Sequence, residues 1–281
     1  MTRAPAISFS GAPSSRWLFL RPRRNVLPGF GIAMGYTLLY LSLIVLIPLA
    51  GLLIKAGQLS SGEFWATISS PQVVAAYRVS LGAAALAAVI NGTFGLLVAW
   101  VMVRYTFPLR RFFDALIDVP FALPTAVAGL TFADLYSSAG FNYATSNAGI
   151  VVVLTFVGLP FVVRTVQPVL QELSSDYEEA ARSLGASRFY TFRRVIFPQL
   201  LPAWLAGLAL AFARAIGEYG SVIFIAGNIP GQSQIAPMQI VTKLDDFRYA
   251  EATAIAVVLL AISLTILLAI NGIEWWTRRR M

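Results

Sequence analysis

Runs of about twenty apolar residues, separated by polar connections, occupy about half of the chain. An α-helix needs about 20 such residues to cross the hydrocarbon core of a bilayer, so these runs predict membrane-spanning helices. We therefore expect an all-α integral membrane protein. Six spans are predicted, at residues 33–54, 79–103, 112–133, 148–168, 200–225 and 250–273.

The composition supports a membrane protein. Of the 281 residues, 58 % are hydrophobic and 12 % are charged, about half the charged fraction of an ordinary soluble domain. Six spans leave little sequence for a separate soluble domain. We divide the chain into an N-terminal tail at residues 1–30, a six-helix transmembrane domain at 31–275 and a C-terminal tail at 276–281.

The chain has a net charge of +8, and the distribution of its basic residues predicts the orientation in the membrane. The basic residues flank apolar runs, where Lys and Arg act as orientation signals, so we expect no nucleic-acid partner. Of 21 basic residues, 15 lie in the tails and in the connections on one side of the spans. Cytoplasmic connections carry the excess of Lys and Arg, so both termini are predicted to be cytoplasmic. The other six are Lys55, Arg78, Lys243 and Arg248 on the opposite side, and Arg164 and Arg214 inside spans.

Missing residue types exclude several kinds of chemistry. The chain has no Cys and no His, which excludes thiol or His-dependent catalysis and the common zinc sites. Its two lysines, Lys55 and Lys243, are not in the Gly-Lys-Ser/Thr context of a phosphate-binding loop. Any ATP chemistry must therefore come from a partner. A membrane enzyme is disfavoured because its candidate residues show no convergent spacing; these are Lys55, Asp114, Asp118 and Ser221.

The connection at residues 171–198 has an organisation of its own. Ser175 and Glu178 have the spacing of a capping box, which predicts that a short helix begins there. Gly185 is placed to end this helix, and Ser187 can cap a second one running toward Pro198. Carboxylates come first and arginines second. This division favours docking into a protein groove over an interfacial helix on anionic lipid.

The same connection carries Glu179-Ala180-Ala181, then Gly185, then Val195-Ile196-Phe197-Pro198. This pattern resembles the EAA signature of the integral-membrane subunits of ABC importers, and it departs from the signature by Val195 for Ile and Phe197 for Leu. The resemblance implies a six-transmembrane-helix type I ABC importer permease with a cytoplasmic coupling helix. It also implies that Glu179 pairs with a basic residue of an ATP-binding subunit and that Gly185 permits the turn. The implied coupling residues are Glu179, Ala180, Ala181, Gly185 and Pro198.

Residues 120–130, 158–168, 218–230 and 240–244 carry a narrower resemblance. They are similar to the T-type permease subunit of sulfate/thiosulfate importers. It implies a multi-pass protein of the bacterial inner membrane, a second permease of the W type, two ATP-binding subunits and a periplasmic sulfate-binding protein. ATP and Mg²⁺ would bind to the partner ATPase subunits, and this chain would bind no cofactor.

Two alternatives remain. Molybdate and tungstate permeases share the Glu-aromatic-Gly element found here at residues 218–220. A proton-coupled secondary anion transporter could use Glu218 or Asp118 as a relay. Those folds usually contain paired internal repeats, and none is apparent in this sequence.

Several residues near the predicted midplane are candidates for the transport pathway. Prolines there leave backbone groups unpaired, which is tolerated only against protein or water. Packing kinks and a pathway-lining role both remain open, whereas Asn91 is expected to form an interhelical hydrogen bond. The candidates are Pro120, Pro124, Thr125, Gly158 and Pro160.

Arg214 and Glu218 are the remaining pathway candidates. An intramembrane arginine predicts function by default. We assign Glu218 to holding a gate region, and Arg214 to lowering the electrostatic barrier to an anion. The alternative is a structural ion pair four residues apart. Gly217 and Gly220 indicate that the helix loosens at this point.

Overall fold

The computed structural model describes residues 29–138, 140 and 146–279. Most of the predicted N-terminal tail and the last two residues of the C-terminal tail lie outside these ranges. The described residues contain helices and no strand. The chain divides into two compact units, Met1–Leu49 and Ala50–Met281. The described part of the first unit is Gly29 and most of the apolar helix α1 (Phe30–Ala56).

The second unit is a helical domain. Its helices are α2 (Ser61–Ile68), α3 (Pro71–Arg104), α4 (Arg110–Ile117), α5 (Val119–Ala122), α6 (Thr125–Ser138), α7 (Asn147–Glu172), α8 (Asp176–Ser183), α9 (Arg188–Thr191), α10 (Phe197–Ile216), α11 (Ala236–Asp245) and α12 (Tyr249–Arg278). A π turn at Phe192–Ile196 joins α9 to α10, and a single 3₁₀ turn lies at Val222–Phe224 between α10 and α11.

Helices α3 and α7 run parallel. Gly95 of α3 lies against Val162 of α7, and further along both helices Arg104 Nη2 donates to the Leu173 carbonyl at 3.3 Å. Two parallel helices that follow each other in the chain need a connection that returns across the full width of the membrane. The intervening residues 105–146 therefore supply a third crossing.

This third crossing is not one helix, which corrects the prediction for residues 112–133. It consists of α4, α5 and α6 in sequence. Pro120 lies in the first turn of α5, and Leu123 is extended immediately before Pro124. The two prolines lack the N–H groups that a continuous helix requires. Among the described residues, five helices are thus long and apolar enough to span a membrane: α1, α3, α7, the continuous helix Arg188–Ile216, and α12.

The fifth predicted span also ends earlier than expected. The helix stops at Ile216 with Gly217 as its C-cap, rather than continuing to residue 225. The following segment is irregular and yet enters the core, where Ser221, Val222 and Ala226 are fully buried. The expected loosening near Gly217 is confirmed.

Small residues bring α3, α7 and α10 into close contact. The Trp204 indole of α10 donates to the Gly92 carbonyl of α3 at 2.8 Å. Gly207 of α10 lies against Val162 of α7, where a Cβ would come within 3.0 Å of the Val162 backbone. Glycines at such crossings allow helix backbones to approach closely.

One packing contact gives a direct test. A Cβ at Gly129 would lie 2.4 Å from the carbonyl oxygen of Ser221, which is backbone and cannot rotate away. We expect Gly129→Ala to lower stability by about 1–3 kcal/mol through overpacking. Gly82→Ala is the matched control, because nothing lies within 4 Å of its Cβ position. Thermal unfolding of both purified variants should show a loss for Gly129→Ala alone, and equal midpoints would contradict this contact.

Candidate functional site

The connection between α7 and α10 forms a helix, a turn and a second helix, as predicted. Helix α8 ends in a Schellman motif, in which the Ala186 N–H donates to the Ala181 carbonyl at 3.0 Å and the Gly185 N–H to the Arg182 carbonyl at 2.9 Å. Gly185 has a φ of +77°, a conformation that glycine adopts without steric cost. The turn therefore depends on Gly185 for its geometry.

The caps of the two short helices differ from each other. The predicted capping box at Ser175 is wrong, because the Ser175 side chain makes no cap hydrogen bond. Ser174 Oγ accepts from the Asp176 N–H at 3.2 Å instead, and Glu178 lies 3.1 Å from Arg104 Nη2. The predicted cap at Ser187 is confirmed, since its Oγ accepts from the Tyr190 N–H at 3.3 Å.

The outer surface of this loop exposes a carboxylate and large apolar side chains. Glu179 and Ala180 are exposed, and Glu179 makes no ion pair with a described residue. Leu184 is 88 % exposed and Phe189 is 72 % exposed. Large exposed apolar side chains outside the spans mark a surface that a partner covers. Pro198, the last residue of the signature, lies in the first turn of α10.

Four of the pathway candidates lie close together. The break in the third crossing, at Pro124 and Thr125, packs on the irregular segment after α10. A Cβ at Gly220 would lie 2.4 Å from Thr125 Oγ1. Glu218 lies two residues before Gly220, and Arg214 pairs with Glu218.

Glu218 is the centre of this group. Its side chain is 2 % exposed, and Oε1 accepts hydrogen bonds from the Ser221 N–H at 3.0 Å and from Ser221 Oγ at 2.8 Å. Arg214 Nη1 contacts Oε2, and the Arg214 side chain is 34 % exposed. The carboxylate therefore satisfies irregular backbone inside the domain. The barrier-lowering role assigned to Arg214 stays a prediction.

The remaining pathway candidates lie elsewhere. Pro160 is buried inside α7. Pro120 lines a separate, almost wholly apolar cavity of about 650 Å³ between α3, α4, α5 and α7. Gly158 packs against Asn91, whose Nδ2 would lie 2.4 Å from a Cβ at Gly158. Asn91 is 1 % exposed, and its amide atoms have no hydrogen-bond partner among the described residues, so the predicted interhelical hydrogen bond is wrong.

One polar cluster was not predicted from the sequence. Arg164 of α7 donates to Asp118 from Nε at 2.8 Å and from Nη2 at 2.6 Å. Its Nη1 donates to Asp114 Oδ1 and to Gln167 Oε1, both at 2.8 Å, and Nη2 also donates to the Asp114 carbonyl at 2.9 Å. The cluster fastens α4 to α7. The available signal was the pair of carboxylates four residues apart in one predicted span, with an arginine in the next.

Comparison with known sequences gives strong matches. The family described as "Binding-protein-dependent transport system inner membrane component" matches residues 91–281. The sulfate transport system permease protein CysT of Salmonella typhimurium is 49 % identical over 268 residues, which cover 92 % of this chain and 97 % of that protein. CysT of Escherichia coli is 48 % identical, covering 94 % of this chain and 99 % of that protein.

Solved structures give the same fold at low sequence identity. A bacterial alginate ABC transporter, in complex with an alginate pentasaccharide-bound periplasmic protein, matches with a TM-score of 0.70 and 18 % identity, covering 86 % of this chain and 93 % of that chain. The MetNI methionine ABC transporter in an inward-facing conformation matches with a TM-score of 0.58 and 16 % identity, covering 78 % and 99 %. At this identity the likeness concerns the fold alone.

The unequal burial of Arg214 and Glu218 predicts unequal costs of neutralising them. Arg214→Gln leaves a buried carboxylate without its cation, so we expect a loss of about 1–3 kcal/mol. Glu218→Gln costs less because Arg214 is accessible to water, and the double variant should recover part of the loss. Arg248→Gln is the control, because Arg248 pairs with Glu251 and its side chain is 52 % exposed. This substitution should lower the stability by less than about 1 kcal/mol. Thermal unfolding of the four purified variants measures this order, and equal losses for Arg214→Gln and Arg248→Gln would contradict it.

Proposed function

Because the chain belongs to the family of binding-protein-dependent transport system inner membrane components, we propose that it is the transmembrane permease subunit of an ATP-driven ABC importer for sulfate and thiosulfate. The similarity to CysT proteins over almost their whole length supports the cargo. The loop of α8, Gly185 and α9 supports coupling to an ATPase. The chain would form one half of the translocation pathway.

Energetics require a coupled energy source. Moving one charge against a membrane potential costs about 2.3 kcal/mol per 100 mV, so a dianion entering a negative cell costs about twice that. The sequence contains no phosphate-binding loop. ATP and Mg²⁺ therefore bind to two partner ATP-binding subunits, and the permease itself needs no cofactor.

Coupling proceeds through the exposed side of α8. Glu179 meets a basic residue of the ATPase, while Leu184 and Phe189 supply apolar contact on the same loop. The Schellman turn at Gly185 fixes the angle between the two short helices. A rigid angle allows a movement of the ATPase to reach α10 directly, because α9 continues through the π turn into α10.

The other partners are those that the resemblance to sulfate importers implies. A single chain supplies half of a pathway, and the second half comes from a permease of the W type in a heterodimer. A periplasmic sulfate-binding protein delivers the anion on the outer side. Arg182, Arg188, Arg193 and Arg194 lie in or beside the short helices, and this excess of positive charge supports a cytoplasmic location for the loop and both termini.

The anion passes where the backbone is irregular. An unpaired dianion in an apolar medium would cost tens of kcal/mol, so the pathway needs water or hydrogen-bond donors. Thr125 and the partly exposed guanidinium of Arg214 supply donors at the two helix breaks. Arg214 lowers the electrostatic barrier, and Glu218 holds the gate segment. If the Arg214→Gln, Glu218→Gln double variant regained full transport, the two residues would be only a structural pair.

Cargo selectivity is tested by competition during uptake. Cells that lack their own sulfate importer and express this chain with its partner subunits should accumulate radiolabelled sulfate. Excess unlabelled thiosulfate should reduce this accumulation, whereas molybdate should compete only at higher concentration. Accumulation of molybdate in preference to sulfate would support the alternative molybdate/tungstate permease and contradict the proposed cargo.

Coupling is tested by two substitutions in the loop. Glu179→Lys places like charges together in the proposed groove, and Gly185→Val forces a β-branched residue to a φ of +77°. We expect each to lower uptake about tenfold or more and to reduce ATPase retention in a pull-down, with normal amounts of permease in the membrane.

Two matched variants serve as controls for the coupling loop. Glu172→Lys reverses an exposed charge outside α8, and Gly185→Asn keeps a residue that tolerates positive φ. Both should retain most of the uptake. Wild-type uptake and ATPase retention in Glu179→Lys and Gly185→Val would exclude the loop from coupling.

A further inference from the structure

A second, polar cavity lies between the cytoplasmic end of α3 and the loop helices α8 and α9. Its volume is about 530 Å³, against about 30 Å³ for one water molecule in the liquid. The space therefore admits a small ion together with several waters. Trp100, Arg104 and Tyr105 line it from the α3 side, and Ser175, Glu178, Arg182, Arg188 and Thr191 are among the residues that line it from the loop.

The charges around this cavity do not balance. Three arginines, Arg104, Arg182 and Arg188, face one carboxylate, that of Glu178. Glu178 lies 3.1 Å from Arg104 Nη2 and 3.8 Å from Arg182 Nη2. Arg188 has no carboxylate within 4.0 Å in the described part of the chain. The lining carries a net charge of +2, the complement of a dianion.

One cationic donor at the cavity is also left over. The Arg104 Nε is buried and, like the acceptor Glu178 Oε1, has no hydrogen-bond partner among residues 29–138, 140 and 146–279. The guanidinium carbon of Arg104 lies 5.7 Å from the centre of the Trp100 ring, which holds the side chain in place. A buried cationic donor without an acceptor is costly, and an oxyanion in the cavity would supply the missing acceptor.

We propose that this cavity is a cytoplasmic binding site for a tetrahedral dianionic oxyanion. The bound anion would accept hydrogen bonds from guanidinium groups on three elements, α3, α8 and α9, and would thereby fasten the coupling loop to the transmembrane domain. Imported sulfate, cellular phosphate and the phosphate of an anionic lipid share the required chemistry. The consequence that imported sulfate acts on the coupling loop from inside the cell rests on the proposed function, whereas the site itself does not.

The site is distinct from the proposed ATPase surface. Ser175, Glu178 and Arg182 lie on the side of α8 that faces the cavity, whereas Glu179 and Leu184 do not line it and are exposed. The cavity and a docked ATPase can therefore be occupied together. Arg193 and Arg194 are exposed in the same loop and do not line the cavity, so they provide matched controls of equal charge.

The test measures binding of radiolabelled sulfate to the purified chain in an uncharged detergent, without ATPase or binding protein and at constant ionic strength set with chloride. We expect saturable binding that inorganic phosphate displaces. Arg188→Gln should weaken the affinity about tenfold or more, because a charge-assisted hydrogen bond is lost. Arg193→Gln should leave the affinity unchanged.

Three results would overturn the proposal. They are an absence of saturable binding, equal losses in Arg188→Gln and Arg193→Gln, and loss of binding in Arg214→Gln with wild-type binding in Arg188→Gln. The third result would place the bound sulfate in the proposed transport pathway near Arg214 instead of in this cavity. Displacement of sulfate by vesicles of phosphatidylglycerol but not of phosphatidylcholine would support the site and identify lipid phosphate as the source. Because no uptake is measured, a failed transport assay would contradict the proposed function without affecting this result.

Discussion

The buried carboxylate of Glu218 is the interaction on which the least regular part of the domain depends. Inside a membrane no bulk water is available to satisfy backbone N–H groups, so a helix can end there only if other groups supply acceptors. Glu218 accepts from both the N–H and the hydroxyl of Ser221 immediately after the end of α10, and it contacts Arg214 with its second oxygen. The irregular segment can therefore enter the core.

The two breaks in regular structure support each other. The third crossing is interrupted at Pro124, and the helix after the break packs on the segment that follows α10. Gly129 leaves room for the Ser221 carbonyl, and Gly220 leaves room for Thr125. Neither position has space for a Cβ. A movement of the segment after α10 would accordingly displace the third crossing as well.

Sequence reasoning located the elements that hydrophobic length determines. It placed α1, α7 and α12 within five residues of their ends, whereas α3 begins eight residues before the predicted span. It also identified the turn at Gly185 from residue type and spacing. It failed where a tertiary contact decides the outcome. The Ser175 box is absent, since Ser175 has helical backbone angles and its side chain makes no cap hydrogen bond, while Glu178 lies 3.1 Å from Arg104 of another helix. The fifth span ended early because a carboxylate at Glu218 compensates for the lost helical hydrogen bonds.

Polar groups inside the domain were the hardest to predict. Asn91 packs against Gly158 without a hydrogen-bond partner in the described part of the chain, and this contact depends on the register of α3 and α7. The Arg164 cluster joins residues 46 to 50 positions apart, and nothing local in the sequence indicates which carboxylates the arginine meets. The prolines at residues 120 and 124 did signal irregular backbone. Their consequence, three short helices in place of one, required knowledge of what packs against the break.

The central claim is that ATP hydrolysis by partner subunits, rather than an ion gradient, drives anion entry through this chain. Vesicles containing the complete complex, with the binding protein and radiolabelled sulfate outside, would test it most directly. Uptake should require ATP in the compartment that holds the ATPase subunits and should proceed without a pH gradient. Uptake driven by a pH gradient in the absence of ATP would contradict the claim and would identify a proton-coupled secondary transporter.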